Sequence, residues 1–284
     1  MIQIGLSTSS VYPLPLEQTF ALAASIGYDG VEVMVTRDKR TQNADELRHL
    51  EELYGVPVLA LHAPVLLLTH FVWGTDPETK LRKSAELARD VGASTVVVHP
   101  PFRWQKEYAN NFLNLVEEIG AETNVAISVE NMFPWKMNGR GVEAYLPGYD
   151  IRDFSSKNLT LDFSHAALSG HDSMEIVHAV GNRLNHVHLC DGLGVHDEGR
   201  VFDEHLMPGF GSQPVAEVLQ HLAVKGWSGS IVAEVNTRKA KDQRDRVRML
   251  RETLEFAREH TQVHQRGTWN RIKEALHGKP NEKP

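Results

Sequence analysis

Eight short apolar runs rich in Val and Ile punctuate the chain: "IQIGLS", "GVEVMV", "PVLALHA", "STVVVHP", "VAISVENM", "LTLDFSH", "LNHVHLCD" and "GSIVAEVN". Between them lie longer stretches such as "LEQTFALAASIG", "ADELRHLEELYG", "ETKLRKSAELARDVG" and "QPVAEVLQHLAVKG", whose apolar residues return at helical spacing. Several close on the glycine that commonly follows a helix. Strands that alternate with helices pair in parallel, and eight such units in about 260 residues predict an α/β chain folded as a (β/α)8 TIM barrel. The link after the fifth run is the weakest, because "DIRDFSSKN" offers only a short helix. A doubly wound sheet would alternate in the same way, but it usually places a Gly-rich phosphate loop after its first strand, where this chain reads "STSSVYPLP". The expected organisation is therefore a barrel over residues 1–262 and a short C-terminal helical extension over 263–284, built around "WNRIKEALHG".

Composition narrows the class of function. No apolar run approaches the roughly 20 residues of a membrane span, and "MIQIGLSTSS" lacks the features of a signal peptide. The single cysteine, Cys190, allows no internal disulfide, so a cytoplasmic location is expected. Cys190 itself reads as a small buried residue rather than a nucleophile, since no activating base is evident beside it. The net charge of −7 is uneven: residues 238–284 hold 13 Lys and Arg against 7 Asp and Glu, leaving 17 against 30 on the body before them. An acidic body disfavours a polyanion such as nucleic acid unless bound cations reverse the field, and the basic end reads first as a solvated helix face.

The chemistry is concentrated at the ends of the strand candidates. His62 ends the third, His99 the fourth, Glu130 the fifth, Asp162 the sixth, His188 the seventh and Glu234 the eighth. In a barrel these ends share one mouth, where active sites are built. A single histidine there is more often a hydrogen-bonded core residue than a ligand. Three imidazoles and three carboxylates at one level would be expensive to bury unless paired or bound to metal, and they suit Zn, Mn, Co or Mg. His165, three residues beyond Asp162, can turn back over the same mouth. Glu32, near the end of the second strand, alternates with Val31 and Val33 and should face the barrel, either against a ligand histidine or in a buried pair.

The stretches "VEN" at 129–131, "LDFSH" at 161–165, "HVHLCD" at 186–191, "DEHLMPGFG" at 203–211 and "AEVN" at 233–236 resemble the xylose isomerase-like TIM barrels, over roughly residues 2–260. That superfamily includes sugar phosphate isomerases and epimerases, inosose-type dehydratases and type IV apurinic (AP) endonucleases. The epimerase pattern implies one divalent ion on Glu130, Asp162, His188 and Glu234, with the two glutamates as base and acid for proton transfer beside a carbonyl of a small sugar or sugar phosphate. The endonuclease pattern implies three zinc ions on nine residues: His62, His99, Glu130, Asp162, His165, His188, Asp203, His205 and Glu234. The expected cofactor is thus one to three divalent ions. Three features favour the epimerase: "HAPVLLL" offers only Val65 and Leu66 where the endonucleases carry a Tyr-containing wedge, "MFPWKMNGRG" replaces their Ala/Gly-rich loop, and the body is acidic. A barrel that binds metal without catalysis is a further alternative. Many members of the superfamily form dimers or tetramers, so a homo-oligomer is also consistent.

Trp73, Trp104 and Trp135, with Phe71, Phe102 and Phe133 beside them, fall on loops after the third, fourth and fifth strands, where aromatic faces could meet a sugar or simply pack. Arg103 and Lys136, and Arg238 and Lys239 after the last strand, are candidates for holding a phosphate or carboxylate. Asp191 follows the seventh strand and is expected to touch substrate. In "VFDEHLMPGFG" the spacing lets Asp203 and His205 point the same way, and Gly209 and Gly211 leading into a Ser212 helix cap would leave backbone N–H groups to hold a phosphate.

Overall fold

The structure of the protein, a computed structural model, describes residues 1–64, 69, 71–137, 140–142, 144–194 and 203–262, with the backbone alone at 135–137 and 140–142. The expected extension and the Val65–Leu66 segment fall outside the described residues.

Eight strands close a parallel barrel: β1 (Gln3–Ser7), β2 (Gly30–Met34), β3 (Val58–His62), β4 (Thr95–Val98), β5 (Ala126–Glu130), β8 (Leu159–Asp162), β9 (Leu184–Leu189) and β10 (Ser230–Ala233). They pair in the cyclic order β1-β10-β9-β8-β5-β4-β3-β2. The connecting helices are α1 (Thr8–Val11), α2 (Leu16–Ile26), α3 (Ala44–Tyr54), α4 (Pro77–Val91), α5 (Lys106–Thr123), α6 (Phe163–Ser169), α7 (Ser173–Val180) and α8 (Val215–Val224), and α9 (Gln243–Thr261) closes the described chain. Their ends follow local chemistry. Asn43 accepts from the amides of Asp45 and Glu46 to start α3, Asp76 accepts from Thr79 N to start α4, and Gly55 and Gly92 end those helices.

The segment after β5 departs from the expectation of a short helix. A two-stranded antiparallel hairpin, β6 (Trp135–Met137) with β7 (Arg140–Val142), and a single 3-10 turn at Ile151–Asp153 occupy that link. The expected strand "VAISVENM" also stops at Glu130. Asn131 ends it by turning aside: its Oδ1 accepts from Asp162 N at 2.7 Å and its Nδ2 donates to Asp162 O at 3.0 Å, so β5 and β8 are clamped at one level.

The main core fills the shell between barrel and helices, where Phe20, Phe112, Phe163, Leu47, Leu81 and Ile119 are fully buried. Towards the mouth the barrel interior is polar and small instead. Ser7, Glu32, Ser128, Thr160, His186 and His188 have no exposed surface, and Thr160 Oγ1 donates to Ser128 Oγ at 2.7 Å. Period-two alternation puts Ser128 and Glu130 on the same face of β5 and His186 and His188 on the same face of β9, and that face is the inside.

Candidate metal centre

Glu130, at the end of β5, is the hub of the mouth and is 1% exposed. Its Oε1 lies 3.0 Å from His188 Nδ1 and 3.3 Å from His165 Nδ1, and its Oε2 lies 3.0 Å from His99 Nε2 and 3.3 Å from His62 Nε2. His188 Nδ1 in turn stands 2.9 Å from Glu234 Oε2 and 3.8 Å from Asp162 Oδ2. Four donor atoms, one each from Glu130, Asp162, His188 and Glu234, fall within 4.8 Å of one another. Among the described residues three further sets are as close: Glu32, His186 and His188, deeper in the barrel; His62, His99 and Glu130; and Asp162, His165 and His205. Asp203 joins the last set, since its Oδ2 lies 2.8 Å from His205 Nε2 and 3.2 Å from His165 Nε2. Thus the nine residues singled out by the endonuclease pattern converge, in three adjoining sets that share Glu130 and Asp162.

Supporting contacts fix these side chains. Asp162 Oδ1 accepts from His165 N at 2.7 Å, and Ser164 Oγ donates to Asp203 Oδ1 at 2.7 Å. His205 Nδ1 sits 2.7 Å from Glu234 O, and its backbone takes the left-handed φ of 44°, a strained conformation for a non-glycine that persists only where its surroundings over-determine it. Ser9 Oγ donates to Glu234 Oε1 at 2.7 Å, with Ser7 Oγ at 3.5 Å. The segment "STSSVYPLP", notable in the sequence only for lacking a phosphate loop, therefore orients one of the two glutamates.

Burial by itself would neutralise this cluster, and the mutual pairing outweighs it for most members. Burial raises the Glu130 carboxyl, but His188 and His99 hold it well below the usual range. Glu234 is likewise raised by burial and brought down to about 2 by His188. His165 is pulled down by burial and lifted well above the ordinary value by Asp162 and Asp203, and His188 follows the same pattern with Glu234 and Glu32. Asp162 is the exception among these carboxyls, raised by burial and by the charges of Glu130 and Asp203. A buried cluster of imidazoles and carboxylates in alternation, with at least one oxygen of each carboxylate beside a nitrogen, has the donor chemistry of a divalent metal centre: N and O ligands, most of them from rigid strand ends. The residues present fit such an ion.

The other expected site residues scatter. Trp104 is 55% exposed and stacks on Phe102 with ring centroids 4.3 Å apart, on the wall of a cavity of about 460 Å³ that also touches His99 and Tyr145. Trp73 is partly buried against the main core. The side chains of Trp135 and Lys136 lie outside the described part, and Arg103 and Lys239 are exposed. Arg238 lies 4.7 Å above the Tyr12 ring. The phosphate cradle expected at Gly209–Gly211 is already filled. The Asp191 carboxylate, fully buried, accepts from the amides of Gly192, Gly209 and Gln213 at 2.9, 3.0 and 3.2 Å. A Cβ at Gly211 would fall 2.2 Å from Asp191 Oδ1. Nor does Ser212 cap the helix: its amide and hydroxyl both donate to Gly192 O, and α8 starts after Pro214. Asp191 thus organises the loop rather than facing the mouth as a substrate contact. Cys190 is buried, and burial pushes its thiol up to about 12, as an unreactive cysteine requires.

Known proteins resemble the chain along most of its length. An uncharacterised protein of Mycobacterium tuberculosis is 44% identical over 278 residues, covering 91% of this chain and 98% of its own. The fructoselysine 3-epimerase of Escherichia coli O157:H7 is 20% identical over 264 residues, 83% of this chain and 91% of its own. The solved structure of a D-tagatose 3-epimerase-like protein superimposes with a TM-score of 0.63 at 26% identity, covering 92% of this chain and all of that one. The family model for the xylose isomerase-like TIM barrel matches residues 20–260. With that match and the closed eight-stranded barrel, the chain belongs to the xylose isomerase-like TIM barrel family.

Proposed function

We propose that the protein is a divalent-metal-dependent isomerase or epimerase that moves a proton next to a carbonyl of a small polyhydroxylated substrate. The observation that carries this reading is the pair Glu130 and Glu234, which reach one imidazole nitrogen, His188 Nδ1, at 3.0 and 2.9 Å from strands β5 and β10, separated in the barrel by β8 and β9. Glu130, Asp162, His188 and Glu234 would hold the ion, which supplies positive charge that favours loss of a proton from the neighbouring carbon. One carboxylate takes the proton from one face and the other returns a proton to the opposite face, so the carbon inverts with no net redox change. His188 and His99 keep Glu130 ionised and ready to accept, His188 does the same for Glu234, and Ser9 orients that carboxylate. The Phe102–Trp104 stack beside His99 offers a flat apolar wall suited to the C–H face of a sugar. The epimerase names of relatives support the same reaction class.

The test is incubation of the metal-loaded protein with a panel of ketoses in D2O, following deuterium entry at the carbon beside the carbonyl by NMR. Incorporation that Glu130→Gln abolishes, with metal content retained, is the expected result; turnover unchanged in that variant removes Glu130 from the mechanism. A second reading, phosphoester hydrolysis, is favoured by one specific observation: the nine donors form three adjoining sets rather than one. Elemental analysis giving about three zinc ions per chain, together with nicking of an abasic duplex, would select it.

A further inference from the structure

Below the four-residue centre lies a second group, of which the proposed reactions use only the shared member, His188. Glu32, His186 and His188 are all completely buried. Glu32 Oε1 lies 3.2 Å from His188 Nε2, and Glu32 Oε2 lies 3.4 Å from the same nitrogen and 2.9 Å from His186 Nε2. The last contact lacks hydrogen-bond alignment, so both ring nitrogens of His186 are without a hydrogen-bond partner among the described residues. Strand geometry places Glu32 here. Val31 pairs with Val58 but Glu32 pairs with Ala60, so Leu59 is skipped, and a register slip of this kind re-aims the side chain beside it.

His188 therefore has two distinct faces. Nδ1 looks up at Glu130, Glu234 and Asp162, and Nε2 looks down at Glu32. A neutral imidazole carries one proton, and the nitrogen that keeps it is set by the partner that accepts it. We propose that Glu32 is a positioning residue: it takes the hydrogen bond from His188 Nε2–H, fixes the tautomer that leaves the Nδ1 lone pair facing the upper centre, and is itself braced from below by His186. A carboxylate is the acceptor this geometry supplies, with both Glu32 oxygens within 3.4 Å of His188 Nε2. An ionised acceptor on the far nitrogen also makes Nδ1 a stronger donor to a cation. The proposal rests on the reading that the upper centre binds a divalent ion, and it is independent of which reaction follows.

Nitrogen-15 NMR of the zinc-loaded native protein tests the tautomer directly through long-range couplings to the imidazole ring protons. The expected pattern for His188 is a protonated Nε2 and a zinc-shifted, unprotonated Nδ1. A proton on Nδ1, or a metal-free pattern on both nitrogens in a protein that carries zinc, overturns the proposal alone. Native protein that takes up no zinc overturns the metal reading and this proposal with it. Glu32→Gln, compared by competition with a chromophoric chelator, should weaken zinc binding about 10–100-fold; because Glu32 is also a buried partner of His188, the metal-free melting temperature falls too, and the affinities are read well below the melting transitions of both proteins. Zinc affinity within twofold of native in that variant refutes the positioning role. If Glu32→Gln does not fold, the NMR assignment on the native protein decides.

Discussion

Replacing Glu130 with glutamine keeps the shape of the hub and removes its charge. In the native protein Oε1 faces His165 and His188, and Oε2 faces His62 and His99, all at 3.0 to 3.3 Å. A carboxylate accepts on both oxygens, whereas a carboxamide accepts on one side and donates on the other. Whichever way the amide is flipped, two of the four imidazole nitrogens meet an N–H group, and any imidazolium among them loses its counter-charge. Breaking one partner of a buried ionic network costs about 3–5 kcal/mol. A barrel of this size responds by roughly 2–4 °C per kcal/mol, so chelator-treated Glu130→Gln should melt roughly 6–20 °C below the metal-free native protein. The assay is thermal melting followed by circular dichroism, paired with zinc uptake by elemental analysis. A drop below about 2 °C with native zinc uptake would refute the picture of Glu130 as the charge around which the mouth is built.

Three further outcomes are expected. Ser9→Ala removes the 2.7 Å donor to Glu234 Oε1, an interaction with a charged group worth about 1.5–3 kcal/mol. Its solvent-exchange rate on any responsive ketose should fall about 10–100-fold with metal content unchanged, and a rate within twofold of native removes Ser9 from the mechanism. Gly211→Ala drives a methyl into Asp191 Oδ1 and should lower stability by about 1–3 kcal/mol, read as a smaller urea midpoint at constant slope. An unchanged midpoint would mean that the 209–213 turn has slack the structure does not show. In metal-free protein, His165 and His188 are held well above the ordinary imidazole value by neighbouring carboxylates that outweigh burial. A pKa raised by folding stabilises fully below the unfolded value and is lost as pH rises through the folded one, so the metal-free melting temperature should fall as pH climbs from about 6 into the alkaline range. A flat profile there would contradict the charge pairing.

The fold was legible because parallel barrel strands are covered on both faces and read as continuous apolar runs, and because the turn chemistry around Gly55 and Gly92 is local. The level of the mouth was legible for the same reason: in a regular barrel the strand ends share a height, so Glu130, Asp162 and His188, each at or one residue before the end of its strand, could be aligned before any contact was known. What escaped reading is contact between distant positions. Ser9 and Glu234 lie 225 residues apart, and nothing in "STSSVYPLP" marks which hydroxyl points across the barrel. Asp191 was expected at the substrate for a similar reason: its place after β9 was visible, but not the amides that wrap its carboxylate. The hairpin after β5 was missed because its three-residue strands are too short to carry a period.

The Asp191 turn carries a consequence for what the barrel can welcome. Many barrels leave a ring of amides beside the later strands as a socket for a phosphate that arrives with the ligand. Here the socket has its own plug, tethered by the main chain. A phosphate carried by a ligand could not use the amides of Gly192, Gly209 and Gln213 without first displacing the Asp191 carboxylate. That arrangement is complete as soon as the loop folds around residue 191.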